Sequence, residues 1–333
     1  MSVGLLIGRL WISWIQLLKR QEDALSLALV RVGVGLVVLE DLFSTWSSGA
    51  LPLIWGDLKD TPEGFRVIHS ERLSWLGGHY QQVTMLSAVT VLMALLLVLG
   101  VAARFSAFFC LQGCITLYQL NPAAGGGHDR VITNALWLLV LADSGRTLSV
   151  SARWRTGQWR DPAPVAAWPR YLMVGQLILM YTATGLQKLS PEWFPWGGWQ
   201  AVYNMLLVPA WARFDLAPVL GRLGPLTQLS TACTWAWESS FWMVGVWLLQ
   251  RGLDRPGHLR RLDLRSLYAM LGLSFHLGLL ILTDLGPFSL ICLSLYPSLY
   301  HPDELRRGWN RLWRRPVVPQ KPSRDAEMSP RLQ

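Results

Sequence analysis

The sequence predicts an all-α fold, a polytopic integral membrane bundle of about eight transmembrane helices with both termini in the cytoplasm. The first observation is the composition: 52% of the 333 residues are hydrophobic and only 15% are charged, whereas soluble domains carry about 25% charged residues. The second is that apolar segments of about 20 residues, the length that crosses a bilayer, recur along the chain. The third is the placement of the basic residues around these segments. The composition also excludes intrinsic disorder, which needs low hydrophobicity, and argues against a nucleic-acid partner.

Eight apolar segments are the predicted spans, and they define the domain organisation. They are residues 24–43, 83–101, 104–120, 131–149, 169–188, 228–249, 266–284 and 286–300. Residues 24–305 are therefore predicted to form one transmembrane domain. Before it, residues 1–23 combine Trp11, Trp14 and leucines with basic residues, which is typical of an interfacial amphipathic helix. After it, residues 306–333 form a basic cytoplasmic tail whose Pro, Arg and Lys content predicts disorder.

The 30 lysine and arginine residues orient the predicted bundle. With the N-terminus in the cytoplasm, 22 of the 30 fall in cytoplasmic segments, seven fall outside and Arg31 lies within the first span. An excess on the cytoplasmic side is what the positive-inside rule expects. The net charge of +9 therefore indicates orientation in the membrane and not affinity for an acidic partner. The sequence predicts a multi-pass protein of the cell inner (cytoplasmic) membrane.

The four cysteines do not predict a disulfide framework or a metal site. Cys110, Cys114, Cys233 and Cys292 all lie inside apolar segments, without the paired spacing of zinc ligands. Cys110 and Cys114 are four residues apart and share a helix face. A buried redox pair is one interpretation of them, and the favoured one is packing of small residues between helices.

A set of polar residues breaks the apolar pattern of the spans. Charged side chains at membrane depth cost about 2.5–3.5 kcal/mol each on insertion scales, so each needs a reason. In the predicted topology, one group lies at the outer helix ends and the other lies deeper in the bundle. The outer group is Asn121, His128, Asp129, Lys188 and Asp284, and the deeper group is Gln176, Glu238 and His276. The set predicts a polar pocket opening to the outer face, and the alternative is a series of interhelical hydrogen bonds and ion pairs.

Lys188 is the most informative member of this set. Desolvation beside apolar walls lowers the pKa of a lysine, and a neutral amine is a usable general base near pH 7. The alternative is a lysine whose long stem lies along the helix end while its charge reaches the interface. Trp193 lies in the aromatic segment that follows. That segment suits an aromatic belt at the membrane surface, or the lining of an opening for a lipid-soluble ring such as a quinone.

Three motifs in the chain carry a family resemblance. They are Gly175–Gln176 followed by Tyr181–Trp193, then Phe275–His276 followed by Gly286–Ser289, and His128 with Asp143 fifteen residues later. Taken in their order along the chain within residues 24–305, the three motifs resemble the vitamin K-dependent γ-glutamyl carboxylase family. They also resemble the wider group of bacterial proteins that share its membrane part, the HTTM domain. Glu238 falls where that family places an acidic residue.

The resemblance implies a quinol-dependent chemistry with named residues. Lys188 matches the family's base for a vitamin K-type hydroquinone, and His128 and His276 match histidines that would assist it. The remaining polar residues are then expected to bind the cofactor: Gln176, Glu238, Trp193, Asn121 and Asp129. Carbon dioxide and oxygen would be co-reactants if carboxylation is retained. The expected partners are membrane lipid, a secreted or periplasmic peptide substrate and a separate substrate-recognition subunit.

Two departures keep other functions open. The first lysine of the family's pair is Gln187 here, and the resemblance covers the membrane part of the carboxylases without their large extra-cytoplasmic domain. The alternative function is a non-catalytic accessory factor for maturation or export of a secreted peptide, as in the maturation partner of the sporulation-delaying toxin. A transporter is disfavoured, because the sequence lacks the matching halves with broken helices that transporters show.

Overall fold

The computed structural model describes residues 18–55, 80–252 and 263–313, with isolated positions 8, 11, 12, 15 and 16 before them. These residues are mostly helical, so the predicted all-α class is confirmed. Strand β1 (Gln21–Glu22) pairs antiparallel with strand β2 (Val165–Ala166), with Glu22 opposite Val165. The helices are, in chain order, α1 (Leu25–Ser47), α2 (Leu51–Trp55), α3 (Tyr80–Leu99), α4 (Ala103–Leu120), α5 (Gly127–Leu141), α6 (Val150–Thr156), α7 (Trp168–Leu186), α8 (Ala201–Leu206), α9 (Ala217–Leu220), α10 (Gly224–Ser239), α11 (Trp242–Gly252), α12 (Leu264–Leu282), α13 (Phe288–Leu295) and α14 (Pro302–Trp313).

Helix α1 is central to the packing. It contacts α3, α5 and α13, and its Leu27, Val34 and Val38 are fully buried. On the opposite face of the helix, Leu36 and Phe43 are exposed. Each predicted span overlaps at least one helix, although the fourth, 131–149, was predicted to end eight residues past the end of α5.

The outer surface of the bundle is apolar over wide areas. Met85, Phe105, Leu179 and Leu229 are each at least 60% exposed, as expected of helices that face lipid. Among the described residues, two helical segments are long and apolar enough to cross a bilayer, Gln81–Leu99 and Leu264–Leu282. The count of eight spans and the cytoplasmic position of the termini remain predictions.

The sixth predicted span, 228–249, is not one helix. It consists of α10 and α11, which are separated at Ser240 and Phe241. The hydroxyls of Ser239 and Ser240 donate to the carbonyls of Trp235 and Ala236, one turn earlier, and such bonds bend helices. The Phe241 N–H then donates to the Glu238 carbonyl three residues back, at 3.1 Å. Glu238 therefore lies beside a helix break and not inside a continuous span.

Arg31, the charge within the first predicted span, is completely buried. Its guanidinium donates to the Leu148 carbonyl at 2.6 Å and to the Ser144 carbonyl at 3.3 Å. Gly100, at φ +70°, lies against it, and a Cβ built there would be 2.2 Å from a guanidinium nitrogen. Arg31 thus joins α1 to the end of α3 and to the turn after α5.

Two carboxylates before α1 connect distant parts of the chain. Glu22 forms a buried ion pair with Arg170 at 2.7 Å. Asp23 contacts both Arg160, at 3.2 Å, and Arg306, at 2.6 Å. The segment before the first helix is therefore attached to the start of α7 and to α14 together.

The two ends of the chain are described in part. In the predicted interfacial helix, residues 1–23, the described positions up to Lys19 are helical and Trp11 is 63% exposed. The prediction was wrong at its end, where Gln21–Glu22 form strand β1, and the remaining positions before Lys19 lie outside the described residues. At the other end, α14 extends helical structure to Trp313, eight residues into the segment predicted as a disordered tail. Its acidic first turn favours a helix N-terminus, and residues 314–333 lie outside the described residues.

Candidate functional site

A cavity of about 820 Å³ lies among helices α5, α7, α10 and α12. Most of its wall is apolar, and α8 closes part of it with Val202, Met205 and Leu206. On α7 the wall extends from Gln176 to Lys188, just past the helix end. The twelve steps between these two residues correspond to about 18 Å along a helix axis. The cavity is therefore long enough for an extended amphiphile.

Lys188 and Glu238 form an ion pair in the wall of this cavity. The side chain of Lys188 is 19% exposed and that of Glu238 is 6% exposed. The ammonium also lies 4.8 Å from the centre of the Trp193 ring, in a cation–π contact. The structure thus brings three of the predicted site residues into direct contact.

A close helix crossing holds this pair in place. Gly185, in the last turn of α7, faces the end of α10, where a Cβ built on Gly185 would be 2.3 Å from the Ser239 backbone nitrogen. Any residue with a Cβ at position 185 would clash with the backbone of α10, so the two helices can come this close only at a glycine. The crossing puts Lys188, which follows the end of α7, beside Glu238, which precedes the break between α10 and α11.

Gln176 lies in the wall at the other end of the α7 lining. Its Oε1 is buried, and no hydrogen-bond donor reaches it within the described part of the chain. A buried acceptor without a partner costs about 1–3 kcal/mol. A ligand hydroxyl or amide at this position would remove that cost.

His276 lies behind the cavity wall and not in it. Its side chain is fully buried, with Nε2 2.6 Å from the Tyr181 hydroxyl and Nδ1 3.2 Å from the Ser289 hydroxyl. The Tyr181 hydroxyl is also 3.2 Å from that of Tyr296, and the rest of Tyr181 lines the cavity. The imidazole ring also packs against Phe275 and Phe288, which line the cavity. Any effect of His276 on the cavity therefore passes through Tyr181 and these two rings.

The remaining three predicted residues do not line the cavity. His128 and Asp129 lie in the first turn of α5, and Asn121 follows the end of α4. His128 and Asp129 contact each other at 3.1 Å, and Asp129 also accepts a hydrogen bond from the Gly126 N–H at 3.0 Å. Their neighbours Gly127 and Arg130 line the cavity, but they themselves do not. Asn121 is buried and donates to the Ile54 carbonyl at 2.8 Å, so it attaches α2 to the end of α4.

Several lining residues were not singled out in the sequence. Arg130 and Asn134 project from α5, and Cys233 and Thr234 from α10. Helical spacing was the available signal: residues 127, 130, 131 and 134 share one face, as do 230, 233, 234, 237 and 238. Within the described ranges, no three His, Cys, Asp or Glu side chains come close enough to hold a metal ion.

Glu192 lies close to this site in the chain and is partly exposed. The pKa of its carboxyl group is lowered, because the Ser190 hydroxyl and the backbone N–H of Glu192 donate hydrogen bonds to it. It does not line the cavity. It is therefore a suitable control for carboxylate substitutions at the site.

The accessibility of the cavity can be tested with its cysteine. Cys233 is exposed, whereas Cys110, Cys114 and Cys292 are buried. We expect a maleimide to label one thiol per folded chain and to label none in Cys233→Ser. Mass spectrometry of the labelled peptides measures this. Labelling of a second thiol under native conditions, or no labelling of Cys233, would contradict the described packing.

The comparisons with known proteins agree with the resemblance noted in the sequence. A family model described as the HTTM domain matches residues 19–222, about three fifths of the chain. The match includes Gln176, Lys188 and Trp193, while Glu238 and His276 lie beyond it. No curated protein and no solved structure matches the chain.

Proposed function

The chain belongs to the HTTM domain family, the membrane part of vitamin K-dependent carboxylase-like proteins, and from this premise we propose that its cavity binds a quinol-type cofactor. We propose further that the bound quinol, a vitamin K-type hydroquinone, serves the modification of a peptide or small substrate. The observation that carries the proposal is the Lys188–Glu238 pair in the wall of a long, mostly apolar cavity.

The shape and lining of the cavity support a quinol. Ligand pockets of about 300–1,000 Å³ hold molecules of this size, and a ring with an isoprenoid tail needs apolar walls and an elongated space. The ring hydroxyls need polar partners, which Lys188 and Glu238 supply near the end of α7. The unpartnered Oε1 of Gln176, at the other end of the α7 lining, offers an acceptor to a polar group elsewhere on the ligand.

The residues of the chain have separable tasks in this proposal. The Lys188–Glu238 pair binds a ring hydroxyl and takes up its proton, and Trp193 covers the ammonium. Tyr181 forms part of the wall and is fixed by His276. The apolar lining excludes water, which strengthens every electrostatic contact inside. When bound, a quinol supplies protons and two electrons for chemistry with oxygen, to which the carboxylases couple the addition of carbon dioxide.

The proposal is tested by the cofactor content of the purified protein. We expect a quinone to co-purify with the full chain in mild detergent, detected by mass spectrometry of the extracted lipids. In Lys188→Ala, the amount bound should fall at least about tenfold, because a charge-assisted hydrogen bond contributes about 1.5–3 kcal/mol. The control is Lys19→Ala, an exposed lysine away from the cavity, which should keep the quinone.

The opposite result would also be informative. A folded wild-type chain that carries no quinone and takes up none from added naphthoquinol would overturn the proposal. That outcome would favour the accessory role in maturation or export of a secreted peptide.

A further inference from the structure

We propose that Glu238, and not Lys188, is the group that accepts the ligand's proton, and that Lys188 stays a fixed positive charge beside it. This inference depends on the proposed quinol binding and refines it. The family resemblance assigns the base to Lys188. The geometry around the two side chains points to the carboxylate.

The contacts of Lys188 are those of a charged ammonium. Its Nζ is paired with the Glu238 carboxylate, and it lies 4.8 Å from the centre of the Trp193 ring. Both contacts attract a positive charge and lose their attraction if the amine is neutral. An ammonium has three donors and no lone pair. In this arrangement Lys188 can donate to a ligand oxygen, but it cannot take a proton from one.

Glu238 has the acceptor capacity that Lys188 lacks. An ionised carboxylate offers about four lone-pair positions. Among the described residues, Lys188 is the side chain that donates a hydrogen bond to the Glu238 carboxylate, and it donates to Oε2. The carboxylate lines the cavity although its side chain is only 6% exposed. A ring hydroxyl in the cavity can therefore donate to Glu238 while its oxygen faces the Lys188 ammonium.

The proton transfer balances without any other reactant. The O–H bond of the ligand breaks, its proton bonds to a carboxylate oxygen of Glu238, and the electron pair stays on the ligand oxygen. All N–H bonds of Lys188 remain intact. The net charge inside the cavity is the same before and after the transfer. No charge has to enter the apolar space, where an unpaired charge would be expensive.

The test uses 6-cyano-2-naphthol, a ring hydroxyl compound whose neutral and ionised forms absorb at different wavelengths. It is added to the full chain at a pH where the free compound is neutral. Absorbance reports whether the bound hydroxyl is ionised, and infrared difference spectroscopy reports where the proton has gone. We expect an ionised probe in the wild type, together with a new carbonyl band of a protonated carboxylic acid.

Three variants decide between the two residues. Lys188→Arg, which keeps the charge but has no accessible neutral form, should retain the ionised probe and the carbonyl band, whatever its affinity for the probe. Glu238→Gln should lose the carbonyl band. The matched control, Glu192→Gln, should keep it. Binding of 2-methoxynaphthalene, which has no ionisable hydrogen, checks that each variant keeps its cavity.

Each failure has its own signature. If the wild type binds neither naphthalene compound, the proposed function fails and this inference fails with it. If the wild type ionises the probe without a new carbonyl band, or the band persists in Glu238→Gln, Glu238 is not the acceptor. If Lys188→Arg binds 2-methoxynaphthalene normally but leaves the naphthol neutral, Lys188 is the base.

Discussion

Replacing Gly185 by alanine is expected to separate Lys188 from Glu238 and to weaken ligand binding at least about tenfold. The new Cβ would be 2.3 Å from the Ser239 backbone nitrogen, a distance that only a shift of α7 or α10 can relieve. Overpacking of this kind costs about 1–3 kcal/mol. The dissociation constant of the naphthol probe and the free energy of unfolding measure the two consequences.

The control for this prediction lies on the same helix. Gly175 has no atom within 4 Å of a Cβ built on it, and alanine favours a helix over glycine by up to about 1 kcal/mol. Gly175→Ala should therefore bind the probe normally and be at least as stable as the wild type. Equal behaviour of the two alanine variants would mean that the crossing at Gly185 does not position the ion pair.

Replacing Arg31 by methionine is expected to lower the free energy of unfolding by about 2–4 kcal/mol. The substitution leaves the carbonyls of Ser144 and Leu148 buried without their donor, and each such group costs about 1–3 kcal/mol. Removal of the buried charge offsets part of this loss. Denaturation of the purified protein in mixed micelles measures the difference.

Arg153, an exposed arginine on α6, is the comparison for this substitution. Arg153→Met should change the free energy of unfolding by less than about 0.5 kcal/mol, as surface substitutions usually do. If Arg31→Met were equally mild, the guanidinium would not be what joins α1 to α3 and to the turn after α5. Binding of the naphthol probe should survive in both variants, because neither residue lines the cavity.

The helices were the most predictable part of the molecule. Apolar segments of sufficient length place α1, α3 and α12 within a few residues, because burial or lipid contact along the whole helix leaves a continuous signal. The break at Ser240 was not predicted, since it depends on serine hydroxyls competing for carbonyls of the helix. The helix α14 was missed for a similar reason: its polar composition resembles a tail, and its contacts with Asp23 and Arg265 join residues far apart in sequence.

Four of the eight predicted site residues line the cavity, namely Gln176, Lys188, Trp193 and Glu238, and the other four do not. Gln176, Lys188 and Trp193 follow one another along the chain, so a common location was a reasonable expectation. The pairing of Lys188 with Glu238, fifty residues later, required the crossing at Gly185. His276 was expected to touch a ligand, yet the ring of Tyr181 stands between it and the cavity. A single sequence shows which residues are polar. The packing of the side chains around them decides which of these residues a ligand in the cavity can contact.

The contacts of Asp23 also restrict the path of the chain through a bilayer. Asp23 touches Arg160 and Arg306, and charged groups that touch one another at the surface of a bundle lie on the same side of the membrane. Of the predicted crossings, an even number must then lie between residues 23 and 160, and an even number between residues 160 and 306. This parity follows from two ion pairs alone, whichever helices make the crossings, and four predicted spans on each side of Arg160 satisfy it.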